Sequence, residues 1–578
     1  MDDDLRERVE EVAEVNALFN ALKHDSGAQV GAILGPMMGE NPAFREHGDA
    51  VPGVVAPVVE RVNGMDRADQ RSRLAELAPD RLEELEAEDE ADEHPLPDLP
   101  GAESGDVVMR VAPNPNGPWH IGHARMAAVV GSYKQRYDGA FLCRFDDTDP
   151  ETKRPDLDAY DAILDAIDYL GFEPDEVIRA SDRLETYYDH ARELIERGGA
   201  YTCSCPAAEF SERKNAGEAC PHRDRSATQV REEFESMIDG EYAAGEKVLR
   251  VRTDIEHRNP ALRDWVAFRL IDTPHPREAA SDYRCWPMLD FQSGIDDHLT
   301  GVTHIVRGID LQDSAKRQAF VYDYFGWEYP EVVHWGHVQV DAYDVPLSTS
   351  TIRERIAAGD LDGWDDPRAP TVASLRRRGI RGAAVVDAMV ELGTSTSNVD
   401  LSMSSVYAAN RERVDDGTDR AFLVRDDPDP DRGGGAVERQ VVGGPDAGEP
   451  PVHPDHEDRG RRWIPVDDAV LVESGDLPSH GERVWLKGCG AVRHTRDALE
   501  FTGEDIEVVR SGEVDVVHWV PAEVSVPTTL RTPEGDVEGY AEPGVVDYAV
   551  DDLLQFERVG FARLDAVGDE VVAYYAHP

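Results

Sequence analysis

The segment Arg110-Val-Ala-Pro-Asn-Pro-Asn-Gly-Pro-Trp-His-Ile-Gly-His-Ala-Arg125 gathers the residue types that phosphate chemistry needs. It follows a short apolar run, Asp106-Val-Val-Met-Arg-Val111, turns through Pro113, Pro115 and Gly117, and opens a helix from about Ile121. His120 and His123 are spaced i and i+3 at that start. Both rings therefore share a face where free amides and the positive end of the helix dipole favour phosphate. Gly122 between them lets a nucleotide approach the backbone. Taken alone, a His-x-x-His pair is more simply two surface histidines after a proline-rich loop. The sixteen-residue string reverses that preference.

Two further groups could do chemistry. Cys203-Ser-Cys205 and, fourteen residues on, Cys220-Pro-His222 offer three sulfurs and one imidazole, a set that suits a closed tetrahedral Zn²⁺ site better than unpaired thiols. Asp146 and Asp147 end a strand expected at residues 143–145, at the carboxyl edge where open α/β sheets collect ligands. Asp149, next to Pro150, reads as the cap of a helix starting there.

These groups need a scaffold, and helical and strand patterns alternate from residue 106 to about 345, which predicts a parallel doubly wound sheet, with a strand at 286–294 that sets Leu289, Ser293 and Arg307 beside its crevice. Upstream, residues 5–22, 41–48 and 58–77 read as helices, 83–93 as an acidic helix or linker, and 95–105 as a break. Beyond about 400, β-rich runs at 420–424, 469–472, 484–486, 514–520, 545–548 and 571–575 predict β-barrels without an internal repeat. The 578 residues exclude a single small binding module. With 60 Lys+Arg against 117 Asp+Glu the net charge is −57, and only seven of the cations are lysines. Such a chain repels itself at ordinary ionic strength, so the composition reads as that of a salt-loaded cytoplasm and says little about partners. No run reaches the ~18 apolar residues of a membrane span, the start lacks a signal-peptide pattern, and six cysteines make no disulfide scaffold. A cytoplasmic protein without a membrane partner is expected.

The string around His120 resembles the signature of class I aminoacyl-tRNA synthetases, specifically the glutamyl/glutaminyl subgroup of archaeal and eukaryotic style. Similar strings recur in order: Cys143-Arg-Phe-Asp-Asp-Thr-Asp149, Asp296-Asp-His-Leu-Thr-Gly-Val-Thr-His-Ile-Val-Arg307, Leu347-Ser-Thr-Ser350, Gly363-Trp-Asp-Asp-Pro-Arg368 and Leu375-Arg-Arg-Arg-Gly379. The resemblance implies residues 1–104 as a helical region with an acidic linker, and 105–200 and 286–345 as two Rossmann-type halves. It makes 201–285 an inserted acceptor-binding domain with a zinc knuckle, 346–402 a helical stem-contact region and 403–578 anticodon-binding β-barrels.

The resemblance also implies roles. His120 and His123 are the catalytic pair that stabilises the α-phosphate of ATP. Gly117, Gly122, Leu347, Ser348, Thr349 and Ser350 belong to the ATP site, with Mg²⁺. Arg110, Ala112, Asn114, Asp146, Leu289, Ser293 and Arg307 belong to the amino-acid site: Asp146 holds the α-ammonium, and Arg307 with Arg110 meets the side-chain carboxylate. Cys203, Cys205, Cys220 and His222 hold a structural zinc. Three positions depart from the family. Leu289 replaces a Tyr, Ser293 replaces the Asn of bacterial relatives, and Thr349 stands where a signature Lys steadies the β- and γ-phosphates, leaving Arg353, Arg355, amides or Mg²⁺ to compensate. The positive cluster Arg376–Arg378 with Arg381 marks a candidate contact with tRNA phosphate.

The expected activity is ligation of L-glutamate to the 3′ end of tRNA(Glu), with tRNA(Gln) as a second candidate acceptor, by a monomer. Arg307 opposes the alternative of a glutaminyl enzyme. The intact His pair and Asp146 oppose a non-catalytic tRNA-binding paralogue, which Thr349 would suggest. A small nucleotidylyltransferase would leave the insertion and the β tail without purpose.

Overall fold

The computed structural model describes residues 3–23, 27–40, 44, 47–48, 50–79, 81–82, 95–340, 342–426 and 434–578, and it divides into two compact units, Met1–Asp98 and Leu99–Pro578. The first unit is helical: α1 (Asp3–Lys23), α2 (Val30–Glu40), α3 (Val51–Asn63) and α4 (Arg67–Leu77). Val51, Val54, Val55, Val58, Val59 and Val62 recur at helical spacing, and this face of α3 shares a core with Val9, Ala13 and Ala17 of α1. The single helix expected over 58–77 is two helices, because the chain turns at Gly64 and Asp66 then accepts from the Asp69 amide at 2.9 Å as a new N-cap. α2 was not expected. The expected linker at 83–93 and most of the helix expected at 41–48 lie outside the described residues.

The second unit begins as an open parallel sheet. Strands β1 (Val108–Val111), β2 (Ala140–Phe145) and β3 (Glu176–Arg179) pair in parallel, joined by α5 (Ile121–Tyr137) and α6 (Leu157–Tyr169). α7 (Leu184–Glu196) leads into an insertion whose antiparallel sheet is β4 (Ala200–Cys203), β5 (Val248–Val251), β6 (Val266–Leu270) and β7 (Cys285–Pro287). An aromatic ladder runs through its core, with Phe268 at 5.3 Å from Phe234 and 5.1 Å from Phe291. α8 (Leu289–Leu299) then returns the chain to the parallel layer, where β8 (His304–Gly308) and, after α9 (Gln312–Phe325), β9 (Glu331–Trp335) pair in parallel. The Thr303 amide donates to the Val108 carbonyl at 2.9 Å, so β8 docks on the free side of β1. β1 thus has β2 on one side and β8 on the other, the switch point at which open α/β sheets form a crevice.

Two expectations are corrected here. The run 286–294, expected as a strand, is a strand only to Pro287, and Leu289 to Ser293 lie on α8. No helix opens at Pro150: Asp149 accepts from the Glu151 and Thr152 amides at 3.2 and 2.9 Å and closes a turn, while α6 starts after its own cap, Asp156.

Past β10 (Val338–Val340) come α10 (Thr349–Ala358), α11 (Val372–Arg377), α12 (Gly382–Glu391), β11 (Val399–Leu401) and α13 (Met403–Val414), and then two seven-stranded sheets. The first takes strands from 419–425 and 526–577, and the second lies wholly between them in sequence, at 436–521. Residues 543–547 form a 3-10 turn, where a strand was expected at 545–548, because Pro543 supplies the fixed φ of a helical start.

The expected phosphate cluster at 376–381 is corrected in part. Arg377 is paired with Asp365 at 2.7 Å and Asp565 at 3.0 Å. Arg378 is fully buried, and its guanidinium donates to four neutral acceptors: the carbonyls of Tyr575 (2.8 Å) and Ala576 (2.7 Å) and the phenols of Tyr343 (3.0 Å) and Tyr407 (2.9 Å). Only Arg376 and Arg381 are exposed.

Candidate active site

The carboxyl ends of β1, β2 and β8 face a cavity of about 780 Å³. Ala112, Asn114, His120, Gly122, His123, Asp146, Leu289, Leu347, Thr349 and Ser350 all lie on its wall. His120 is the N-cap of α5, and the two histidine rings stack at 3.6 Å between centroids, 20° apart. Burial pushes the His120 imidazole down to about 4, and burial followed by the neighbouring His120 holds His123 well below its ordinary value. Both rings are therefore neutral near pH 7. Both Nδ1 atoms are buried without a hydrogen-bond partner. Neutral imidazoles at a helix N-terminus are donors that cost no ion desolvation.

The two signature strings touch. A Cβ at Gly117 would stand 2.5 Å from the Thr349 Cγ2, and a Cβ at Gly122 would stand 3.2 Å from His120 and 3.5 Å from Leu347, so glycine at both positions is what lets the loops close. Ser348 caps α10 and Gly117 supports the loop, and neither is on the wall. Arg353, expected to compensate for the lysine missing at Thr349, spends its guanidinium on the Asn116 carbonyl and on Asp156 at 3.3 Å, and Arg355 is exposed off the wall. The exposed cation on the wall is instead Lys153, with Arg269 opposite, paired to Asp149 at 3.0 Å.

Behind the wall lies a layer of buried charge. Arg110 grips Asp297 with Nε and Nη2, each at 3.0 Å. Arg144 reaches the same carboxylate at 2.9 Å, Asp146 at 3.1 Å and the Ser293 hydroxyl at 2.9 Å. Burial drives the Asp297 carboxyl up, but Arg110 and Arg144 outweigh it and hold the group below the usual carboxylate value. Arg307 donates to Gln318 Oε1 at 3.1 Å and keeps a buried Nε without a partner. Burial, then the nearby Arg110, lowers its guanidinium. Arg110, Ser293 and Arg307 are thus not on the cavity wall, and the direct contact expected between Arg110 and a substrate carboxylate is not the geometry found, because Asp297 occupies its fork. Arg144 and Asp297 went unread although both sit inside the quoted strings. For Arg144, a charge flanked by Cys143 and Phe145 on a strand was the signal available; Asp297, between Asp296 and His298 on α8, carried no such signal.

The insertion brings Cys203, Cys205, Cys220 and His222 together, with one ligand atom from each within 4.8 Å of the others. Cys203 and Cys220 sulfurs are 3.8 Å apart, and His222 Nδ1 lies 3.4 Å from Cys205 and 4.0 Å from Cys220. Thiolates about 2.3 Å and an imidazole about 2.1 Å from a tetrahedral zinc would stand about 3.8 Å and about 3.6 Å apart, so the donor set fits the ion. A hydrogen bond from Cys220 holds the Cys203 thiol down, at about 4, and raises Cys220 in exchange.

A parallel sheet split at β1, a histidine pair at the helix after it and two appended barrels define a class I synthetase. The model of the tRNA synthetases class I (E and Q) catalytic domain matches residues 106–416, and two models of the anti-codon binding domain of the same family match 435–511 and 516–565. The chain belongs to this family. Among its relatives, each named Glutamate–tRNA ligase, those of Haloarcula marismortui and Natronomonas pharaonis are 73% and 70% identical over the whole of both chains. That of Methanosarcina acetivorans is 44% identical over 97% of each.

Proposed function

We infer that the chain is a glutamate–tRNA ligase of halophilic composition. It activates glutamate with ATP and moves it to the 3′ end of tRNA(Glu). The observation that carries the reading is the single cavity in which the neutral His120/His123 pair, the Gly117–Thr349 contact of the two signature loops and Asp146 converge. Relatives of that name at up to 73% identity over the full chain support it.

In the first step a glutamate α-carboxylate oxygen attacks the α-phosphorus of ATP, the bond to the β-phosphate oxygen breaks and diphosphate leaves. Charge spreads onto the α-phosphate oxygens, where preorganised N–H donors from His120 and His123 are strongest. Lys153, an exposed cation on the wall, takes the charge of the leaving diphosphate in place of the lysine missing at Thr349. Mg²⁺, which the family implies, would neutralise charge on the ATP phosphates. In the second step a terminal ribose hydroxyl of tRNA attacks the activated carbonyl, AMP leaves and the hydroxyl proton passes to solvent. Asp146 takes the α-ammonium, and Arg307 supplies the positive charge for the γ-carboxylate, with Arg110 acting through Asp297. Zinc in the Cys203/Cys205/Cys220/His222 set holds the insertion together.

Aminoacylation at high salt tests the reading, with purified tRNA(Glu) and tRNA(Gln) in separate arms that settle the acceptor. Arg307→Gln should raise KM for glutamate steeply and narrow a glutamate-to-glutamine preference of up to about 10⁴, with tRNA binding and zinc content unchanged. A wild-type preference in that variant would place γ-carboxylate recognition elsewhere. The six free cysteines agree with a reducing cytoplasm, and we take the working form as a monomer, which sedimentation checks.

A further inference from the structure

We propose that Gln292 is a third acceptor for the substrate α-ammonium, completing with Asp146 and Asn114 a set that a primary ammonium alone satisfies; the proposal rests on the amino-acid reading above. Asp146 is the shared neighbour. Asn114 Nδ2 donates to the Asp146 backbone carbonyl at 2.7 Å, and Gln292 Nε2 donates to Asp146 Oδ1 at 3.0 Å. Arg144 Nε takes the same Oδ1 at 3.1 Å.

A carbonyl and a carboxylate only accept, so each amide must present its NH₂ to Asp146 and its oxygen elsewhere. The two oxygens, Asn114 Oδ1 and Gln292 Oε1, are buried and have no donor. Both residues line the cavity, and Gln292 is fully buried. Buried acceptors are almost always satisfied, so two of them on residues of one cavity wall, both bonded to the same aspartate, mark where a donor-rich ligand belongs. Asp146 Oδ2, which no described residue engages, makes the third acceptor. Three acceptors and one negative charge match the three N–H bonds and single positive charge of –NH₃⁺. A hydroxyl offers one donor and would leave two acceptors bare.

The helix sets the position. The Met288 amide donates to the Ala267 carbonyl at 2.7 Å, which pins the start of α8 to the insertion sheet. Gln292 follows Leu289 by three residues, and so shares its face of α8 and its place on the wall.

The test uses the full chain at high salt in ATP–diphosphate exchange, with L-2-hydroxyglutarate, in which a hydroxyl replaces the ammonium, as competitor. Gln292→Met keeps the side-chain length and removes both polar atoms. It should raise KM for glutamate about 10- to 100-fold, the loss expected for one charge-assisted hydrogen bond. KM for ATP should stay within about twofold, and the inhibition constant of hydroxyglutarate within about threefold. Gln292→Ala should give the same split and serves if the methionine variant folds poorly. A glutamate KM within about threefold of wild type, as an internal water on Oε1 would give, overturns the proposal. So does an equal loss for glutamate and hydroxyglutarate, which is what a merely structural side chain would give. Wild-type protein without glutamate-dependent exchange would instead sink the functional reading, and this proposal with it.

Discussion

Replacing Asp297 by Asn tests whether Arg110 acts on the substrate or on the scaffold. Asp297 accepts a two-point grip from Arg110 and a third bond from Arg144, all of it buried. Asparagine keeps the shape but removes the charge and turns an NH₂ toward one of these donors. Arg144 retains Asp146 and Ser293, whereas Arg110 has no second carboxylate in this layer. Leaving one buried partner uncompensated costs about 3–5 kcal/mol. At about 1 °C per kcal/mol for a unit as large as Leu99–Pro578, the melting point should fall by roughly 3–5 °C. The assay is near-ultraviolet circular dichroism on heating, at a fixed multimolar salt concentration so that surface charge is equally screened in both proteins. Arg110→Met with Asp297→Leu should recover part of the loss, since the pair then leaves together. A melting point within 2 °C of wild type, accompanied by a higher KM for glutamate, would refute the reasoning and return Arg110 to the substrate.

Glutamate activation should hold its rate as pH falls from 8 through 6.5, because burial keeps His120 at about 4 and holds His123 well below its ordinary value; a titration near 6.5 in the rate profile would mean imidazolium chemistry. Since the folded values lie below the unfolded value, protonation favours the unfolded chain, and the pair's contribution to stability is present above about 6.5 and disappears toward pH 4. His120→Ala or His123→Ala should slow adenylate formation by about 10² or more with tRNA affinity intact, and parallel loss of tRNA binding would remove the catalytic assignment. Cys220→Ser should release one zinc per chain and loosen the insertion near residues 200–225, which elemental analysis and proteolysis read together; active enzyme without metal would end that assignment. Dialysis below about 1 M salt should unfold the protein, as screening lengths grow from ~3 Å at 1 M to ~10 Å at 0.1 M, and an unchanged circular dichroism spectrum would contradict it.

The site was most legible where chemistry and local structure speak through the same residues. The string at 110–125 announces a strand, a turn and a helix start together, and all three are present. At 286–294 the apolar residues fit either period, and the wrong choice had a chemical consequence. A strand groups 289, 291 and 293, whereas the helix groups 289 with 292, which is why Ser293 was expected at the crevice and Gln292 was not. Arg110, Arg144 and Asp297 could not be joined from the sequence, because Arg110 and Asp297 are 187 positions apart and the whole insertion lies between them. Likewise Arg377 and Arg378 read as free charge because several of their partners, Asp565 and the carbonyls at 575 and 576, arrive only with the closing strands of a barrel.

That last separation has a consequence for how the molecule is made. The chain leaves the ribosome in order, and 197 residues separate Arg378 from the Tyr575 carbonyl that receives it. At roughly 5–20 residues per second this gap lasts about 10–40 s, during which the Arg378 guanidinium has the Tyr343 and Tyr407 phenols but neither of its two barrel carbonyls. The barrel that claims it is itself interrupted by the second barrel, so its strands at 553–577 are late pieces. The joint at Arg378 therefore closes only after the catalytic half and the second barrel have been made, and a chain that stops short of residue 575 displays there the defect by which it can be told from a longer one.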